Sequence, residues 1–99
     1  MLVAVDREFE GVLFVWRGPA PFHFVTVPEE VCEDLREVAG RVSYGWGMVP
    51  ARVTVGSSTW ETALYPKDGG YLVPVRDQYR RAEGLAVDEV VRVRLEVAV

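Results

Sequence analysis

Tyr71–Val97, YLVPVRDQYRRAEGLAVDEVVRVRLEV, decides how this chain folds. Tyr71, Leu72 and Val73 are strand formers set directly before Pro74, which has no N–H and pushes its predecessor toward extended geometry. The strand is therefore expected to stop near Pro74. Arg76 to Glu83 holds good helix formers, and Gly84 supplies the residue that best tolerates the left-handed conformation after a helix. From Val91 the pattern alternates: Val91, Val93, Leu95, Val97 and Val99 share one face, with Arg92, Arg94 and Glu96 on the other. A strand, a short helix and a strand with one buried face follow one another.

Working outward, Arg7 to Trp16 reads as a strand with Phe9, Leu13 and Val15 on one side and Val12, Phe14 and Trp16 on the other, so both sides are expected to be partly covered. Gly11 marks a bulge or bend in it. Gly18-Pro19-Ala20-Pro21 forms a tight connection, and Phe22 to Val27 resumes as a strand. Pro28, Glu29 and Glu30 open a helix, Val31, Leu35 and Val38 form its apolar stripe, and Gly40 closes the run. The acids opposite, Glu30, Glu33, Asp34 and Glu37, read as a solvated face. Val49 to Val55, a Gly56-Ser57-Ser58 turn and Thr59 to Tyr65 make a hairpin, and Pro66 to Gly70 is a further polar turn.

The unit strand, proline, helix, glycine thus occurs twice, at Phe22–Gly40 and Tyr71–Gly84, a weak internal repeat. Two short helices, Pro28–Val38 and Arg76–Glu83, among about six strands with no rhythm of long crossovers predict a mostly β protein. The expected architecture is a small barrel, residues 1–99 in one domain, with helices plugging its open ends.

At 99 residues and 49% hydrophobic content the chain can bury a core and is not a disordered sequence. Met1 to Val5 is an apolar start too short for a signal core or a membrane span, and lone Cys32 fits a small apolar side chain in a reducing compartment. A cytoplasmic protein is expected, with no membrane partner. The net charge is −4, and ten of the eleven basic residues are Arg, an imbalance that composition of the genome explains as well as function. Residues 1–50 carry 4 basic and 8 acidic groups and residues 51–99 carry 7 of each. Such an acidic chain is a poor binder of phosphate backbones.

The segments Trp16-Arg17-Gly18-Pro19, Phe22-His23-Phe24-Val25-Thr26-Val27-Pro28, Gly45-Trp46-Gly47, Thr59-Trp60-Glu61-Thr62, Tyr71-Leu72-Val73-Pro74-Val75 and Arg80-Arg81-Ala82-Glu83-Gly84-Leu85 together resemble the family called domain of unknown function 1905, from about Phe9 to Val97. Phe22 stands where that family would have a tryptophan, and Asp88 follows Val87 where a glycine is expected. The resemblance implies a double-split β-barrel related to AbrB-like swapped-hairpin proteins. It implies no activity.

His23, the only histidine, points opposite to Phe22 and Phe24, and reads either as a general base in a pocket or as a residue hydrogen-bonded at the barrel rim. With one histidine and one cysteine no metal cluster is expected, and neither is a cofactor. Ser57 and Ser58 lack the elbow of an activated serine, and the Gly45-Trp46-Gly47 and Gly69-Gly70 stretches lack phosphate-loop spacing. No catalytic residues are assigned. Of Trp16, Trp46, Trp60, Tyr44, Tyr65, Tyr71 and Tyr79, most are expected in the core. Trp46, between two glycines, is either a lid on one barrel end or an exposed contact residue. Arg76, Arg80 and Arg81 lie on the second helix. The candidate binding residues are His23, Tyr44, Trp46 and Arg80, for an unidentified small ligand or protein partner, in a monomer or homodimer. An AbrB-like DNA-binding regulator and a small enzyme using His23 are the alternatives.

Overall fold

The computed structural model describes residues 3–17 and 22–98. The chain runs β1 (Val3–Trp16), β2 (Phe22–Thr26), α1 (Glu29–Val42), β3 (Val49–Val55), β4 (Ser58–Lys67), β5 (Gly70–Val75), α2 (Asp77–Ala82) and β6 (Val90–Ala98). The six strands close into a barrel in the order β1-β2-β5-β4-β3-β6, and every pairing is antiparallel.

Two long strands make the closure possible. Along β1, Val3 to Val12 pair with β6, and Leu13 to Trp16 pair with β2. Along β4, Ser58 to Leu64 pair with β3, and Tyr65 to Lys67 pair with β5. Each long strand is split between two sheets, one of β1-β6-β3-β4 and one of β1-β2-β5-β4, as a double-split barrel requires. The repeat in the sequence is the basis of this plan. Exchanging β1 with β4, β2 with β5 and β3 with β6 leaves the strand order unchanged, so the two halves are related by a topological two-fold that passes between β2 and β5 and between β3 and β6.

The interior is mainly aliphatic, with Phe9, Trp60 and Tyr71 as its aromatic members. Val5, Phe9 and Leu13 of β1, Val49, Ala51, Val53 and Val55 of β3, and Val91, Val93, Leu95 and Val97 of β6 all join one buried cluster, in the alternation read from the sequence. Val99 and the Gly18–Pro21 connection lie outside the described residues.

Helix α1 adds Val31, Cys32 and Leu35 to the cluster, with Val38, Ala39 and Val42 packed against it. The helix does not stop at Gly40. It continues to Val42, because seating Ala39 and Val42 on the core outweighs the roughly 1 kcal/mol that an interior glycine costs. Helix α2 buries none of its residues fully, and two contacts tie it to β4 and the turn before it. The Tyr79 ring stacks on Trp60 at 4.5 Å and 10°, and Glu83 accepts hydrogen bonds from Ser58 Oγ at 2.6 Å and Ser57 N at 3.3 Å.

Other differences from the sequence reading have local causes. β1 begins at Val3, four residues earlier than expected, because β6 is long enough to pair with it there. β4 runs through Pro66 to Lys67, so the turn shrinks to Asp68-Gly69, whose φ values of 51° and 81° suit a two-residue hairpin. Asp88, where the sequence resemblance leads one to expect glycine, is itself left-handed at φ 72°, and its N–H donates to Leu13 O at 2.8 Å.

Gly11 is not a bulge, since the β1–β6 register runs evenly from Val5–Val97 to Val12–Val90. Its role is close approach. A Cβ on Gly11 would lie 2.6 Å from Val25 Cγ1 and 2.7 Å from Thr26 O, at the point where β1 changes partners. Gly11→Ala is therefore expected to push β2 off β1 and cost about 1 to 3 kcal/mol, read as a lower Tm. Val93→Asp, which places a carboxylate at a site with no accessible surface, is expected to abolish the cooperative melt altogether.

Candidate functional site

The two sheets present opposite outer surfaces. Outside the β1-β6-β3-β4 sheet, Arg94 makes a two-pronged pair with Asp6 at 2.9 and 3.1 Å, Arg92 pairs with Glu8 at 2.8 Å, and Arg52 pairs with Glu61 at 3.2 Å. The Arg94 hydrogen bond holds the Asp6 carboxyl below its ordinary range and raises Arg94 in return. Glu10 and Glu96 share this face, so its arginines are matched or outnumbered by carboxylates.

Outside the β1-β2-β5-β4 sheet the residues are aromatic. Because cross-strand partners share a face, the pairs Phe14–Phe24, Trp16–Phe22 and Tyr65–Leu72 all point outward together. Phe24 sits at the centre, its ring 5.9 Å from Phe14, 6.5 Å from Phe22 and 5.6 Å from Tyr65. Phe24 and Leu72 are buried but belong to no part of the barrel core cluster; neighbouring rings on the outer surface cover them. They floor a groove of about 420 Å³ whose walls are Trp16, Phe22, Tyr65, Pro66 and Lys67. Trp16, Phe22 and Tyr65 remain 44%, 59% and 46% exposed. The Lys67 ammonium lies 3.8 Å from the Trp16 ring centroid. A second cleft of about 350 Å³ shares Lys67 and Leu72 with the groove and continues past Tyr71 and Cys32 to Glu29 and Asp68.

The residues singled out in the sequence fall into two groups away from the groove floor. His23 projects to the side of the sheet opposite Phe22 and Phe24, its Nδ1 3.7 Å from Asp77 Oδ1, and Arg80 Nε reaches the same oxygen at 3.4 Å. His23 and Arg80 thus converge on Asp77 at the start of α2, and His23 lines neither the groove nor the cleft beside it. Tyr44 and Trp46 belong to a tight loop bridged between Tyr44 and Met48. Trp46 is 95% exposed, which excludes the lid. Gly47 in this loop abuts Pro66, at 3.6 Å from a Cβ built on it, so the loop stands at one end of the groove.

The expectation that most large aromatics are core is overturned. Trp60 and Tyr71 are buried and Tyr79 is half-buried, whereas Trp16, Trp46, Tyr44 and Tyr65 are exposed. The interior of a six-stranded barrel is filled by Val and Leu, leaving the outer face for further rings. Trp16, Phe22, Phe24 and Tyr65 were missed as a group. Their signal was the second apolar face of β1 and β2, which the sequence reading assigned to ordinary coverage. Ser57 and Ser58 are engaged with Glu83, and among the described residues no cluster of His, Cys, Asp and Glu is assembled for a metal ion. No helix among them is long and apolar enough to cross a membrane.

A closed, double-split antiparallel barrel with one ion-paired and one aromatic face is the class of domain that these observations define. Residues 9–95 match the family described as domain of unknown function (DUF1905), and the chain belongs to that family. The curated proteins contain no significant match to it.

Trp46→Ala is expected to leave the unfolding free energy within about 0.5 kcal/mol of the parent, since the indole is almost wholly exposed. Burial pushes the Cys32 thiol up, and its Sγ faces Val27 O at 3.4 Å. Iodoacetamide is therefore expected to alkylate Cys32 only on unfolding, with the modified fraction tracking the denaturation curve.

Proposed function

We propose that this domain is a cytoplasmic binding module whose contact surface is the aromatic groove on the β1-β2-β5-β4 sheet, with the Tyr44–Trp46 loop at its edge. The observation that carries this reading is Phe24 with Leu72: two buried apolar side chains on the outside of a barrel, walled by rings that stay half exposed. A soluble protein leaves such a patch open when something else covers it. The groove's volume lies in the range of small-molecule sites, and its composition, rings and an aliphatic floor with one cation at the rim, matches that of ligand pockets and contact surfaces.

What weighs against a duplex-binding role is the placement of the arginines. Arg52, Arg92 and Arg94 are engaged by carboxylates, and Arg80 by Asp77, so among the described residues no row of uncommitted guanidinium groups runs along either sheet, and of the arginines at α2 only Arg76 and Arg81 are without a carboxylate partner. An enzyme built on His23 would have to work at the Asp77 end of the barrel, away from the groove.

Titrating a library of small aromatic fragments into isotope-labelled protein tests the reading. Amide shifts are expected to gather on Trp16, Phe22, Tyr65 and Lys67, and to vanish in a Phe22→Ser, Tyr65→Ser double variant that melts like the parent. Shifts gathered around His23, Asp77 and Arg80 would move the site to the barrel end and overturn the proposal.

A further inference from the structure

Among the described residues, Lys67 is the one charged residue that walls the groove. Six arginines among the described residues lie within ion-pair distance of a carboxylate, yet Lys67 has no acidic partner there and rests its ammonium on the Trp16 ring. A cation held on an indole face at the edge of an apolar groove offers its remaining donors to an incoming anion. The rest of the molecule repels one, since the net charge is −4 and the ion-paired sheet carries surplus carboxylates.

The shape of the groove sets the rest of the ligand. Its rings are tilted against one another by 33° to 59°, so a flat body meets Trp16, Phe22 and Tyr65 by offset or edge contacts, over Phe24 and Leu72. The adjoining cleft limits the charge. Beyond Lys67 it is lined by Glu29 and Asp68, which oppose a second negative group.

We propose that the groove binds a planar apolar molecule bearing a single negative charge, an aryl or polycyclic carboxylate in chemical class, with the ring system on Trp16, Phe22 and Tyr65 and the carboxylate on Lys67. This rests on the groove being the contact surface, and charge complementarity at Lys67 selects the ligand.

The test uses 2-naphthoate and its neutral counterpart 2-naphthamide, titrated into labelled protein at low salt. Naphthoate is expected to shift the amides of Trp16, Phe22, Tyr65 and Lys67 and to bind about tenfold tighter than the amide. Lys67→Met, which keeps the stem of the side chain, is expected to bring naphthoate down to the amide's affinity and leave the amide unchanged. Tyr65→Ser is expected to weaken both. Equal affinity for the two probes, unaltered by Lys67→Met, would overturn the anion preference while leaving the groove reading intact. If neither probe shifts the groove amides, both fail. Co-sedimentation with phosphatidylglycerol vesicles without any binding of the soluble probe would also overturn the proposal, since the groove would then be a membrane contact.

Discussion

Everything in this fold depends on the change of hydrogen-bonding partner along β1, from β6 at Val12 to β2 at Leu13, and its counterpart on β4 between Leu64 and Tyr65. A sheet that closes on itself leaves no unpaired edge, and a strand that serves two sheets must pass close to both. The lack of a side chain at Gly11 allows that approach. Each helix lies against the part of a long strand that belongs to the β1-β6-β3-β4 sheet. α1 packs along β1, tied by the pair Arg7–Asp34, and α2 packs on β4 through Tyr79 and Glu83.

The same geometry separates the outer surfaces. Residues that alternate with a Val and Leu interior must face outward, and on the β6 side those positions hold arginine and carboxylate in register, so that face is closed by its own ion pairs. Exposed pairs of this kind add little stability each, about 0 to 1 kcal/mol. They do neutralise the face. On the β2 side the outward positions hold rings, so the groove there is walled by aromatic side chains and not by ion pairs. That difference in side-chain chemistry on a symmetric framework makes one outer face apolar and the other charged.

Much of this was legible in the residues. Strict alternation from Val91 to Val97 gave β6 its inner face, and the glycine and aspartate turns set both hairpins close to their observed positions. The limits of α1 were not, because whether a helix crosses Gly40 depends on what Ala39 and Val42 touch, a tertiary matter. The candidate site was harder still. Single-residue oddity drew attention to His23 and Trp46, and the former lies 3.7 Å from Asp77 while the latter is bare to solvent. The groove is made of residues that look like ordinary strand formers, and only the register that brings Trp16 opposite Phe22 and Tyr65 opposite Leu72 assembles them. Register between distant strands is not written in local pattern.

The topological two-fold has a bearing on ancestry. The strands that meet across it, β2 with β5 and β3 with β6, pair antiparallel, which is how two identical segments meet about a dyad. A peptide of half the length, folded as one long strand, a short strand, a helix and a third strand, would complete the same ring of six by joining a second copy of itself. Duplication and fusion of such a peptide would make the pairing permanent and release the halves from being identical. The fourteen-residue α1 against the six-residue α2 is the kind of divergence that follows. On this history the aromatic groove is a late acquisition, because it straddles the dyad and draws on unlike residues from the two halves, a combination that a symmetric ancestor made of equal copies could not hold.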